Sequence, residues 1–278
     1  MTAFTVDKIA DTAQGFTEPL EGLGSALPLD MVLIPGGSFE MGSPDDEPER
    51  SDAEGPQNLV TLPSFFMGRY PVTQAQWRTV CALDQVDIEL PAEPSNFKGD
   101  NRPVEQVSWY EAVEFCNRLS EATKRPYKLP SEAQWEYACR AGTTTPFAFG
   151  KTLTTVIANY RGNYTYNDGP KGEFRNETTD VNAFDIANAF GLCDMHGNVW
   201  EWCADHRHNN YENAPTDGST WLTDDEKAGR VLRGGSWDDF PRKCRSATRD
   251  DGMPNVRFSL IGFRVSCRAP RTLQDSAS

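Results

Sequence analysis

Thiols, imidazoles and carboxylates are the groups that could carry chemistry in this 278-residue chain. Cysteine stands at positions 81, 116, 139, 193, 203, 244 and 267. No two of these form a C-x-x-C pair, so a zinc site of that type is not expected. An odd count without a secretory signal also argues against a disulfide framework. Cys116 and Cys139 fall on the apolar faces of expected helices and read as small buried hydrophobes. The histidines are His196, His206 and His208, and His206-x-His208 reads as a polar surface pair rather than a metal site. Asp45/Asp46 and Asp224/Asp225 lie in polar loops and read as solvated. There is no G-x-S-x-G elbow, Walker loop or H-E-x-x-H helix to organise a nucleophile, a phosphate or zinc.

The elements that must position these groups announce themselves unevenly. Thr73-x-x-Gln76, Ser108-x-x-Glu111 and Ser131-x-x-Gln134 each fit a capping box, in which side chains satisfy the orphan N–H groups of a helix start. After Ser108 the residues Trp109, Ala112, Val113, Cys116 and Leu119 recur at helical spacing. Met31 to Ile34 reads as a strand closed by Pro35-Gly36-Gly37, with Phe39 and Met41 on the returning strand of a hairpin. The acidic segment 44–57 reads as a solvated loop, and 59–73 as strand-like. From about 142 to 190 the chain is rich in Gly, Asn, Thr and Pro without a helical period. So much irregular chain inside a domain usually needs something to hold it, such as a metal ion. RVLRGGSW and IGFRVSC bring strand character back near the end. With no repeat and no linker, one domain over 30–270 is expected. Residues 1–29 form an arm or extra strand, and 271–278 a disordered tail.

Composition sets further bounds. A formal net charge of −14 repels phosphate backbones, so nucleic acid is not an expected partner despite the short basic stretch Arg242 to Arg249. No run of about 18 apolar residues exists to span a membrane. The N-terminus lacks the basic and apolar regions of a secretory signal, which makes a cytoplasmic location the default. A monomer is expected.

Seven stretches, in order, carry a family resemblance: MVLIPGGSFEMGS, PVTQAQW, RPVEQVSWYEAVEFCNRLS, YKLPSEAQWEYACRAGT, FGLCDMHGNVWEWCAD, RVLRGGSW and GFRV. Together they resemble the formylglycine-generating enzyme (sulfatase-modifying factor) superfamily. The resemblance implies an α+β, C-type-lectin-like fold, loop-rich with few short helices and short antiparallel strands. The family's oxidase converts a target cysteine to formylglycine with two cysteines just after GGS, which hold copper(I) and substrate. Here Gly234-Gly235-Ser236 is followed by Asp239 at the first cysteine position, with Cys244 near the second. Soft thiolates select Cu(I), and Asp is a hard ligand, so copper is not expected. A non-catalytic binding protein is therefore the expected reading, and copper-dependent formylglycine formation the alternative. The resemblance also implies structural calcium. One site would use Asp194, the carbonyls of Gly197 and Val199, and Glu201; alternatively Glu201 pairs with an arginine. A second would use Asn159, the carbonyl of Tyr160 and Asp168.

Residues 238–260 resemble the C-terminal region of diversity-generating retroelement variable proteins, which share this fold. The expected framework is Pro241, Arg245-Ser246-Ala247, Arg249, Pro254, Arg257 and Ile261-Gly-Phe-Arg264. In those proteins adenine-specific errors rewrite Asn codons. Asp238, Asp239, Phe240, Thr248, Asp250, Asp251, Gly252, Phe258, Ser259 and Leu260 are all reachable from such codons, whereas Met253 is not. The expected ligand surface is these ten residues with Trp237, Arg242, Cys244 and Arg257. Its partner would be a protein or other macromolecule.

Overall fold

The computed structural model describes residues 13–225 and 227–270. The expected tail 271–278 and residues 1–12 of the expected arm lie outside them. Three sheets and three helices make up an α+β, C-type-lectin-like fold. The first sheet contains β1 (Gly15–Glu18), β2 (Leu29–Ile34), β5 (Phe65–Gly68), β11 (Ser266–Arg268) and β6 (Tyr127–Lys128), in that spatial order and antiparallel throughout. Strands from both ends of the described chain thus share one sheet. The second sheet runs β10 (Ile261–Gly262), β7 (Trp200–His206), β8 (Arg230–Arg233), β9 (Asp250–Gly252). A third, of two strands, pairs β3 (Gly37–Met41) with β4 (Asn58–Leu62).

That last pairing corrects the expected hairpin. β3 does not return along β2, because both edges of β2 are already occupied by β1 and β5. The helices start where the capping boxes place them: α1 (Gln74–Cys81), α2 (Trp109–Thr123) and α3 (Glu132–Arg140) each have both reciprocal cap bonds. Trp77 of α1 stacks on Phe115 of α2 at 5.7 Å, and Phe263 meets Phe115 edge-on at 5.3 Å, at the centre of the larger core.

Helix α3 is buried on every side, although it carries Glu132, Glu136 and Arg140. Glu132 accepts from Arg249 Nε at 2.6 Å and Nη2 at 2.8 Å, and from Arg233 at 3.3 Å. Glu136 takes Arg140 Nε at 2.8 Å and a short bond from Arg233 Nη2. A second group corrects the reading of 44–57 as solvated: Glu47 and Glu54 are buried against Arg245, at 2.5 and 2.6 Å. Burial acts to raise the Glu132 carboxyl, but Arg249 and Arg233 outweigh it and hold the group below its ordinary value. Removing one partner of such a cluster strands a buried charge. Glu132→Ala should therefore cost about 3–5 kcal/mol in urea unfolding; a loss below about 1 kcal/mol would mean that water reaches these arginines.

Candidate functional site

Strand β8 ends in Gly234 and Gly235, whose φ values of +98° and +74° turn the chain sharply out of the sheet. A Cβ on Gly235 would lie 2.7 Å from Cys244 Sγ, so only glycine lets the following loop fold back this closely. Ser236 Oγ then donates to Asp239 Oδ2 at 2.5 Å, and Trp200 Nε1 donates to the same oxygen at 2.8 Å. Burial raises the Asp239 carboxyl, while these two donors act in the opposite sense. Cys244 is 0% exposed, and burial pushes its thiol well above the ordinary range. Its carbonyl accepts from, or faces, His196 Nδ1 at 2.8 Å, and Ala148 N–H donates to Nε2 at 3.0 Å. Burial lowers His196 to about 4, so the ring is neutral near pH 7. A thiolate pair that could grip Cu(I) is not what this loop presents.

The expected ligand residues divide by depth. Phe258 is 55% exposed; Arg242, Asp251 and Arg257 are also exposed. Asp238, Asp239, Phe240, Asp250, Gly252, Ser259 and Leu260 are partly exposed. Cys244 and Thr248 are buried, and Trp237 nearly so, which corrects their placement on the surface. Thr248 Oγ1 instead donates to the Arg242 carbonyl at 2.9 Å, and Trp237 Nε1 donates to the Ser259 carbonyl at 3.0 Å. Most of the expected framework lies inside: Pro241, Arg245, Ser246, Ala247, Arg249, Pro254, Ile261, Phe263 and Arg264 are buried. Arg257 departs from that pattern, reaching from the surface to buried Glu111 at 2.9 and 3.0 Å.

The surface also contains residues with no local signal in the sequence, because they come from distant loops. Phe97 meets Trp237 edge-on at 5.3 Å, and Phe174 lies parallel to Trp237 at 6.4 Å. Arg161 sits over both Phe174 and Phe240, at 5.5 and 5.7 Å, and is tied to Asp238 at 2.7 Å. Tyr164 closes the row edge-on to Phe240 at 4.5 Å. Half-exposed rings and guanidinium groups held by a rigid scaffold can bind a partner without rearranging.

The oxygen-rich stretch lies under this surface. Asp194, with φ +55°, is partly buried, and its Oδ2 is buried without a hydrogen-bond partner. It lines a small enclosed cavity of about 10 Å³ together with His196, about the room of one water-sized sphere. Glu201 carries Arg264 on both oxygens, at 2.6 and 2.7 Å, and accepts Trp135 Nε1 at 2.8 Å. Burial raises the Asp194 carboxyl to about 8, with Arg264 opposing and Glu201 reinforcing the shift, so the group keeps its proton near pH 7 unless a cation replaces it, and the orphaned oxygen fits a cation there. Asn159 is also buried with Oδ1 unpartnered, and its carbonyl lies 2.4 Å from a Cβ built on Gly197. Asp168, the remaining expected ligand beside Asn159 and the Tyr160 carbonyl, is exposed. The His206-x-His208 pair is not at the surface either. His206 is buried and accepts from Thr223 N–H at 2.9 Å, while His208 stacks on Trp221 at 3.6 Å. Among the described residues no three His, Cys, Asp or Glu side chains group as a metal site.

With this geometry in place, comparison with known proteins is informative. The sulfatase-modifying factor enzyme 1-like domain matches residues 24–269. The formylglycine-generating enzyme of Mycobacterium tuberculosis is 30% identical over 84% of this chain and 96% of its own. Among solved structures, PvdO from Pseudomonas aeruginosa is similar with a TM-score of 0.76, at 34% identity over 94% of this chain and all of that one. Treponema denticola variable protein 1 is similar with a TM-score of 0.72, at 25% identity over 93% of this chain and all of that one.

The aromatic row has a pH-sensitive support. Buried Glu105 accepts Phe97 N–H at 2.8 Å and has no partner for Oε2. Burial raises this carboxyl to about 7, against the backbone donors Phe97 and Asn96. The folded state thus keeps a proton that the unfolded chain releases near 4.5. The stabilisation is complete below that value and declines as pH rises to about 7. In denaturant melts, wild type should lose stability relative to Glu105→Gln across this window; parallel pH profiles would count against a protonated Glu105.

Proposed function

The chain belongs to the sulfatase-modifying factor enzyme 1-like family, and within it we propose a non-catalytic, ligand-binding protein that displays the surface of residues 237–260 on its C-type-lectin-like scaffold. The reading includes a diversity-generating retroelement origin for that surface, with a protein or other macromolecule as ligand. The observation that carries it is the state of the loop after Gly234-Gly235-Ser236. Asp239 stands where the family's oxidase has its first cysteine and is held by Ser236 and Trp200. The remaining thiol, Cys244, is sealed in the interior. A lone buried thiol beside a hard carboxylate is a poor host for Cu(I). The split between buried framework and outward Asp238, Phe240, Asp251 and Phe258 supports the display reading.

Titration with copper(I), followed by incubation with a sulfatase-type cysteine peptide, tests the reading. No stoichiometric binding and no formylglycine are expected; tight one-to-one binding with turnover would restore the oxidase. The retroelement origin requires a near-identical template repeat in neighbouring DNA, carrying AAC or AAT at the codons of the outward residues. A locus without such a repeat removes that part.

Calcium belongs to the same proposal. Asp194, the Gly197 and Val199 carbonyls, and Glu201 would hold it, with Glu201 exchanging part of its Arg264 contact for the ion. Bound calcium would fix the 194–201 turn by replacing the proton on Asp194. Chelation should lower the melting temperature and added calcium restore it, whereas Asp194→Asn should blunt the response. A melting temperature indifferent to both treatments rules the ion out.

A further inference from the structure

A second concave site, which adjoins the displayed surface at Phe174 but shares none of residues 237–260, has no role in the reading above. It is a solvent-open cleft of about 450 Å³ lined by Arg102, Glu173, Arg175, Glu177, Thr179 and Asp180, among other mostly polar residues. That volume falls within the usual small-ligand range of about 300–1,000 Å³. The lining excludes an apolar ligand, since Ala183 is its one apolar side chain.

Charge narrows the ligand class. Arg102 pairs with Glu177 at 3.0 Å and Arg175 with Glu173 at 3.2 Å, and both carboxylates are about half-exposed or more. Pairs this exposed are worth about 0–1 kcal/mol, so exchanging one for a ligand charge costs little. Both guanidinium groups are anchored from behind, Arg102 on the Thr178 carbonyl and Arg175 on the Thr155 carbonyl at 3.0 Å. They stay in position when the acids let go. Arg175 Nη1 and Thr179 Oγ1 are buried behind the lining without a hydrogen-bond partner, so the ligand meets the exposed edges of the two guanidinium groups instead. Exposed Asp180 adds a third acid. A simple anion would meet three carboxylates, and a simple cation two arginines. A molecule with both charges can give its carboxylate to Arg102 and Arg175 and its ammonium to Glu173, Glu177 or Asp180.

We propose that this cleft binds a small zwitterion of the amino-acid or short-peptide class. The carboxylate is held by Arg102 and Arg175, and the ammonium by Glu173, Glu177 or Asp180.

Isothermal titration of the full chain with glycylglycine tests this, with acetate and ethylamine as the two half-ligands. Glycylglycine is expected to bind with a Kd below about 1 mM, and each half at least about tenfold more weakly. Arg175→Gln and Glu177→Gln should each weaken glycylglycine by about tenfold. No wild-type binding up to about 10 mM overturns the proposal without reference to any variant. Acetate binding as tightly as glycylglycine would make the cleft an anion site, which also overturns it. So would unchanged affinity in Arg175→Gln, provided its melting temperature matches wild type. None of these outcomes depends on the displayed surface, so failure here leaves that reading untouched.

Discussion

The buried charge network around α3 is the interaction on which the rest of the structure depends. Glu132 and Glu136 have no access to water, and they are tolerable only because Arg233, Arg249 and Arg140 reach them. Those arginines come from β8, from the loop after it and from α3 itself. Glu201 and Arg264 repeat the arrangement between β7 and the segment joining β10 to β11, and Arg245 repeats it with Glu47 and Glu54. Five acids face five arginines. Directional bonds of this kind fix positions in a chain whose sheets are short and whose 142–190 segment has almost no ladder of its own.

The surface of residues 237–260 is shaped by that interior. Arg245 and Arg249 point inward to their acids, which leaves the side chains at 250, 251, 257 and 258 on the outside. The Gly234-Gly235 turn packs against Cys244 and starts the loop at a fixed angle. Substitutions at 251 and 258 then disturb no buried bond. Arg257 and Thr248 are the exceptions: Arg257 holds buried Glu111, and the Thr248 hydroxyl holds the Arg242 carbonyl, so that a larger residue at 248 would have to displace buried neighbours. Cys244 is a second internal residue of the loop, and its burial pushes the thiol well above its ordinary range.

Several features were legible in the sequence for reasons that are local. The three capping boxes depend on residues three positions apart and formed as expected. Collinear motifs identified the family, and with it the fold, without any need to derive β-sheet topology. The returning strand after Pro35 was misread because pairing depends on which strand edges remain free. The acidic run at 44–57 was misread for a similar reason. Composition reports six acids and one arginine there, but not that Arg245, some 190 residues on, reaches Glu47 and Glu54.

By itself the sequence determined the fold family, the helix starts, the loss of the paired cysteines and the limits set by net charge. These follow from residue identity or from spacing within one turn. Tertiary structure alone decided which of the loop residues face water, that Arg161 and Phe174 join Phe240 and Trp237 in one row, and that Glu201 already carries Arg264. It alone brought Arg102 and Arg175 to opposite acids around one cleft. Burial and charge pairing are properties of groups far apart in the chain, and no local pattern encodes which of them will meet.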